Sequence, residues 1–158
     1  FLDGMHLFEY LLRDFINTEA AAAPRAVIAM HDCVPMDAAM TTRDIATLTS
    51  TAWTGDVWKL LPILAEYRPD LRVEVLDCRP TGLVLVSNLN PRSTVLRDAY
   101  DEIVARYMDV TITDYGPERF GEGFSLVNPR TFRDEGYPSF AGLALAPDKA
   151  LNPVMVTL

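Results

Sequence analysis

Two short segments of the 158-residue chain carry side chains that can do chemistry, Asp3-Gly4-Met5-His6 and His31-Asp32-Cys33. Carboxylates are oxygen ligands for a hard divalent cation, and an imidazole is a base whose charge changes near neutral pH. Each residue taken singly also has an ordinary role. Asp3 ahead of Gly4 can cap a following helix, and His6 can be a partly exposed residue of a first helical turn. His31-Asp32 can be a turn in which the aspartate bonds the backbone, and Cys33 can be a small buried hydrophobe. Trp53 and Trp58 flank a Thr-Gly-Asp turn; Trp58 reads as packing, while Trp53 can pack or wall a substrate. The signal lies in coincidence, with acidic and imidazole groups in both segments.

These groups can cooperate only if both segments end neighbouring strands, because ligands of open α/β sheets bind outside the carboxyl ends of the strands. Phe1-Leu2 reads as the end of a buried strand. Met5, Phe8, Leu11, Leu12, Phe15 and Ile16 have the spacing of an amphipathic helix over 5–18, with His6 on its first turn. Pro24 ends that helix, and Arg25 to Met30 is a short apolar run of the kind buried on both faces of a parallel sheet. Asp3 and Asp32 would then project into one crevice. Residues 36–54 have no clean period and read as a loop with a helical turn. Asp56 is placed to cap a helix through Tyr67, kinked at Pro62. Arg72 to Cys78 and Thr81 to Leu89 read as an antiparallel hairpin across Arg79-Pro80. Asn90-Pro91 starts a further helix to about Met108.

The organisation expected is α/β, with parallel strands and a reversed strand at one side, over residues 1–108. Residues 109–158 hold five of the eight glycines and five of the eleven prolines. They read as an irregular extension, packed on the domain by Phe120, Phe124, Phe132 and Phe140. With 49% apolar residues the chain is too hydrophobic for a solvated coil, yet its apolar runs are too short to span a bilayer. A formal charge of −8 repels nucleic acid and anionic lipid, so neither is an expected partner. Two cysteines form no disulfide framework, which fits a cytoplasmic location. An unpaired strand edge would favour a homo-oligomer.

The run Phe1-Leu2-Asp3-Gly4-Met5-His6-Leu7-Phe8-Glu9-Tyr10, with Leu12-Arg13-Asp14-Phe15 and Val27-Ile28-Ala29-Met30-His31-Asp32, resembles the second half of class I S-adenosylmethionine-dependent methyltransferases. It is most similar to the bacterial branch with an IDG-x-H-x-Y-E motif and a later His-Asp pair, and the likeness covers roughly residues 1–89. The resemblance implies a Rossmann-like methyltransferase sheet closed by an antiparallel hairpin. It implies O-methylation of a small hydroxylated metabolite, with His6 as general base and Gly4 and Met5 beside S-adenosylmethionine. By the same likeness Asp3 and Asp32 take the acidic positions that hold Mg²⁺ in catechol O-methyltransferase-like members, and Asp3 also borders the cofactor. His31 and Trp53 are the candidate substrate contacts. Cys33 stands where an Asn or Asp completes that metal set. The glycine-rich cofactor loop of the family has no counterpart in these residues, which implies either a cofactor-binding half upstream of Phe1 or a truncated half that needs a partner. Two other readings stay open: a metal-dependent hydrolase using Asp3, His6, His31 and Asp32, and a non-catalytic half-domain whose strand edge mediates assembly.

Overall fold

The structure is a computed structural model and describes residues 1–140. Helix α1 (Phe8–Ala20) is followed by strand β1 (Ile28–His31), two 3₁₀ turns (Ala38–Thr41 and Ile45–Thr47), and a third turn (Val57–Lys59) that runs into α2 (Leu60–Tyr67). Strands β2 (Arg72–Leu76) and β3 (Leu83–Ser87) come next, then α3 (Val95–Asp98), α4 (Tyr100–Tyr107), α5 (Ile112–Tyr115) and α6 (Pro117–Glu122). A two-residue β4 (Leu126–Val127), α7 (Pro129–Asp134) and a 3₁₀ turn (Pro138–Phe140) complete the described chain. The class is α/β, built on an open mixed sheet of order β1-β3-β2-β4. Among the described residues no helix is long and apolar enough to cross a membrane.

The hairpin forms as its sequence requires, with Val73 opposite Val86 and Val75 opposite Val84. Its place in the sheet differs from the expectation. The reversed strand, β3, is not at one side but between β1 and β2, antiparallel to both. The reason is burial. Val84, Leu85 and Val86 are fully covered, whereas β2 carries the polar Arg72 and Glu74 and suits a more open position. The apolar run of β1 thus arises from cover on both faces rather than from parallel neighbours alone. Ile28 and Met30 face α1 and α2, while Ala29 packs on the smaller cluster around Leu76, Leu85 and Phe132.

Three other boundaries move. Helix α1 starts at Phe8 rather than Met5, because Leu7 is extended at φ −121° and neither it nor Asp3 supplies a capping side chain. Its buried stripe is still Phe8, Leu11, Leu12 and Phe15. Asn90 makes a turn, accepting from the Arg92 N–H at 3.1 Å, and the helix waits until Val95 and breaks at Ala99. The extension beyond Asp109 is not irregular as far as Phe140. Thr111 and Asp114 form a reciprocal capping box, prolines open α6 and α7, and β4 joins β2 in parallel. Phe120 and Phe132 are buried there, and Phe124 and Phe140 pack beside them. The part of that extension from 141 to 158 lies outside the described residues.

Away from the strand ends, the Arg68 guanidinium, 2% exposed, lashes three elements together. It donates to both Glu19 oxygens at 2.6 and 2.9 Å and to both Asp70 oxygens at 2.8 Å. Glu19 in turn accepts from the Asn90 N–H at 3.0 Å. The hydrogen bonds and charge of Arg68 hold the Asp70 carboxyl below the usual range of its type. A depressed folded-state value contributes stability that is present above the unfolded value near 3.8 and is lost as pH falls through the folded one. Asp70→Asn is therefore expected to flatten the acid limb of the stability curve below about pH 4 while changing stability less steeply with pH elsewhere, as urea melts at several pH values would show. An acid limb identical to that of the parent would remove Asp70 from this role.

Candidate functional site

Leu2 pairs in parallel with Met30, its N–H donating to the Ala29 carbonyl at 2.8 Å and its carbonyl accepting from the His31 N–H at 3.1 Å. Asp3 and Asp32 leave these two aligned segments at the same end, as the spacing predicts. The Asp32 backbone turns there through φ 62°, a left-handed conformation that costs a non-glycine residue on the order of 1–2 kcal/mol. One oxygen of Asp32 lies between two ring nitrogens, 3.1 Å from His6 Nε2 and 3.2 Å from His31 Nδ1. Asp3 Oδ1 is 3.8 Å from each of the same nitrogens. Asp3, His6 and Asp32 can offer three ligand atoms that lie within 4.8 Å of one another.

His6 does not sit on the first turn of α1 but in the extended loop ahead of it, where its ring is free of helix geometry. Nδ1 of His6 lies 2.8 Å from the Trp53 carbonyl, which can only accept, so Nδ1 donates there, while Nε2 faces the Asp32 and Asp3 carboxylates. This is the second-sphere arrangement typical of a metal-bound histidine and equally of an oriented base. The Trp53 ring stacks on His6 with centroids 4.9 Å apart, and its indole N–H donates to the Thr42 carbonyl at 2.7 Å. Trp53 is thus half-buried beside the imidazole, within reach of anything bound there. His31 is partly exposed, with the Phe1 ring 6.3 Å away. Gly4 is exposed, and an added Cβ would come only within 3.9 Å of Asp14 Oδ2, so space remains above that backbone. Met5 is 56% exposed and contributes nothing to the core. Cys33 is fully buried, and burial, with Asp32 behind it, pushes its thiol up. A neutral thiol packed in this way is a poor replacement for a metal-binding oxygen.

Several participants had no sequence signal. Gly55 has φ +54°, and any Cβ there would lie 1.7 Å from the His6 carbonyl oxygen. Asp56 is not the cap of the helix that follows it. Its N–H donates to the His6 carbonyl at 3.2 Å, and its Oδ1 accepts from the Phe8 N–H at 2.9 Å. Its other oxygen accepts from Arg43 at 2.5 Å and from the buried Lys59 at 2.7 Å. Burial pushes the Lys59 ammonium down against the pull of Asp56. Arg43, Asp56 and Lys59 also line a cavity of about 540 Å³, together with Met108 and Ile112. The only hint in the sequence was the Trp-Thr-Gly-Asp turn itself.

Comparisons with family models, curated proteins and solved structures returned no match. The geometry therefore stands by itself.

Proposed function

We propose that this chain belongs to a Rossmann-like S-adenosylmethionine-dependent methyltransferase and carries the part of its site that faces a hydroxylated small-molecule acceptor. The observation that supports this reading is the parallel Leu2–Met30 pairing, which brings Asp3, His6 and Asp32 to one rim. The interior reversed strand β3 agrees with the antiparallel hairpin that ends such sheets.

S-adenosylmethionine would supply an electrophilic sulfonium methyl group, with open space above Gly4 for a ligand against the backbone. A hydroxyl reaching the rim meets His6 Nε2, the ring nitrogen left for chemistry because Nδ1 donates to the Trp53 carbonyl. His6 takes the hydroxyl proton, and Trp53 gives a flat wall that limits how the acceptor can lie. Asp3 and Asp32 have the hard oxygen donors that a divalent cation requires, and there the cation would favour the deprotonated hydroxyl.

Binding of S-adenosylhomocysteine to a protein that also contains the cofactor-binding half implied by the resemblance tests the reading directly. Ligand at one hundred times its dissociation constant should stabilise the protein by about 2.7 kcal/mol. No thermal shift at saturating ligand would count decisively against it. A second reading, metal-dependent hydrolysis, is favoured by one observation: His31 Nδ1 faces the same Asp32 oxygen as His6. Tight stoichiometric zinc or manganese, lost in both His6→Ala and His31→Ala, would select hydrolysis. Weak Mg²⁺ binding that disappears in Asp32→Asn and survives His31→Ala would select methyl transfer.

A further inference from the structure

We infer that Asp56 is the positioning residue of His6, acting through the backbone on both sides of it. This rests on the reading of His6 as the base.

The argument begins with a helix that lacks its own cap. Leu7 occupies the N-cap position of α1 and has no side chain able to accept the first free N–H groups. Asp56, 48 positions away, accepts from the Phe8 N–H at 2.9 Å and so caps α1 from outside. The same residue's N–H holds the His6 carbonyl at 3.2 Å. One residue thus grips both ends of the His6-Leu7-Phe8 backbone. Gly55 makes this approach feasible, since a side chain at that position would collide with the His6 carbonyl. Two residues before it, the Trp53 carbonyl takes the His6 Nδ1 proton. Backbone and ring are therefore aligned by one four-residue stretch.

The stretch itself is anchored. The Thr54 and Gly55 N–H groups and the Thr54 hydroxyl all donate to the Met40 carbonyl, at 2.9, 3.1 and 3.0 Å. The Asp56 carboxylate is 3% exposed and tied to Arg43 and Lys59, which fixes its oxygens in space. Arg43 also bonds Glu9 on the first turn of α1, at 2.6 Å for the shortest contact. The ion pairs thus connect the clamp to the helix it caps. Since a ring released from the Trp53 carbonyl would swing Nε2 away from the rim, this geometry bears on chemistry as well as on folding.

Exchange of the His6 Nδ1 proton with water, read by NMR in the full chain without cofactor or acceptor, reports how firmly the ring is held, separately from any methyl transfer. The parent should hold that proton in slow exchange. Asp56→Ala should speed the exchange by roughly three- to tenfold, the worth of about one hydrogen bond. Asp56→Asn keeps an acceptor for the Phe8 N–H and should retain most of the protection. A parental exchange rate in Asp56→Ala, or an equal gain in both variants, would overturn the assignment. Should the alanine variant fail to fold, amide exchange in the parent decides. Phe8 and Asp56 amides protected as strongly as the interior of α1 support the clamp, and rapid exchange at both refutes it. Loss of the Nδ1 protection on Asp56→Ala in a protein that binds no S-adenosylhomocysteine would leave this inference standing and remove only the methyl-transfer reading.

Discussion

His6→Ala is expected to lower methyl transfer by about 10²–10⁴-fold, the usual contribution of a placed general base, while S-adenosylhomocysteine affinity changes little. The fold should survive, because His6 lies in a loop and its side chain is 22% exposed. The selectivity follows from the geometry. Nδ1 is occupied by the Trp53 carbonyl, so the ring's only functional atom is Nε2, which lies 3.1 Å from Asp32 and opens toward the rim. Rates measured with labelled S-adenosylmethionine, beside ligand-binding isotherms, separate the two effects. Turnover within a few-fold of the parent would remove His6 from the base role. Loss of cofactor affinity equal to the loss of rate would make it a binding residue.

Arg68→Ala should destabilise the fold by roughly 3–5 kcal/mol, because it strands a buried carboxylate. Glu19 is 4% exposed and depends on Arg68 for both its oxygens. The cost reaches three elements at once: the end of α1 through Glu19, the end of α2 through Arg68, and the turn after β3 through the Asn90 N–H. Chemical denaturation is the measurement. The companion variant Glu19→Met with Arg68→Met should recover most of the loss, since replacing both charges by apolar chains leaves no unpaired ion. If Arg68→Ala cost under 1 kcal/mol, or the double variant were as unstable as the single, the buried pair would not be what joins these elements.

Much of this architecture was legible in the residues alone, and the places where it was not share a cause. Helix α1 was visible from Phe8, Leu11, Leu12 and Phe15, a periodic stripe that needs no partner to be recognised. The hairpin showed in two β-branched runs joined by a short link. The start of α1 was misjudged by about three residues because its cap comes from Asp56, and nothing near Met5 records that. The runs show a reversed strand but not its interior place, because strand order depends on pairing with β1, a segment distant in sequence. The helical nature of residues 112–134 was hidden by glycines and prolines, which there mark helix ends: Gly116 and Gly123 follow helices, and Pro117 and Pro129 begin them.

The candidate site divides along the same line. Residue types and local order determined that Asp3 and His6 would leave one element and His31 and Asp32 another, because short-range hydrophobic pattern dictates where a strand stops. Tertiary structure alone decided that Asp32 would sit between two imidazoles, that the Trp53 carbonyl would hold His6 Nδ1, and that Asp56 would cap a helix 48 residues away. Such contacts are made by folding distant loops onto one another, and the chain stores them only in its total packing, in no motif that spacing can reveal.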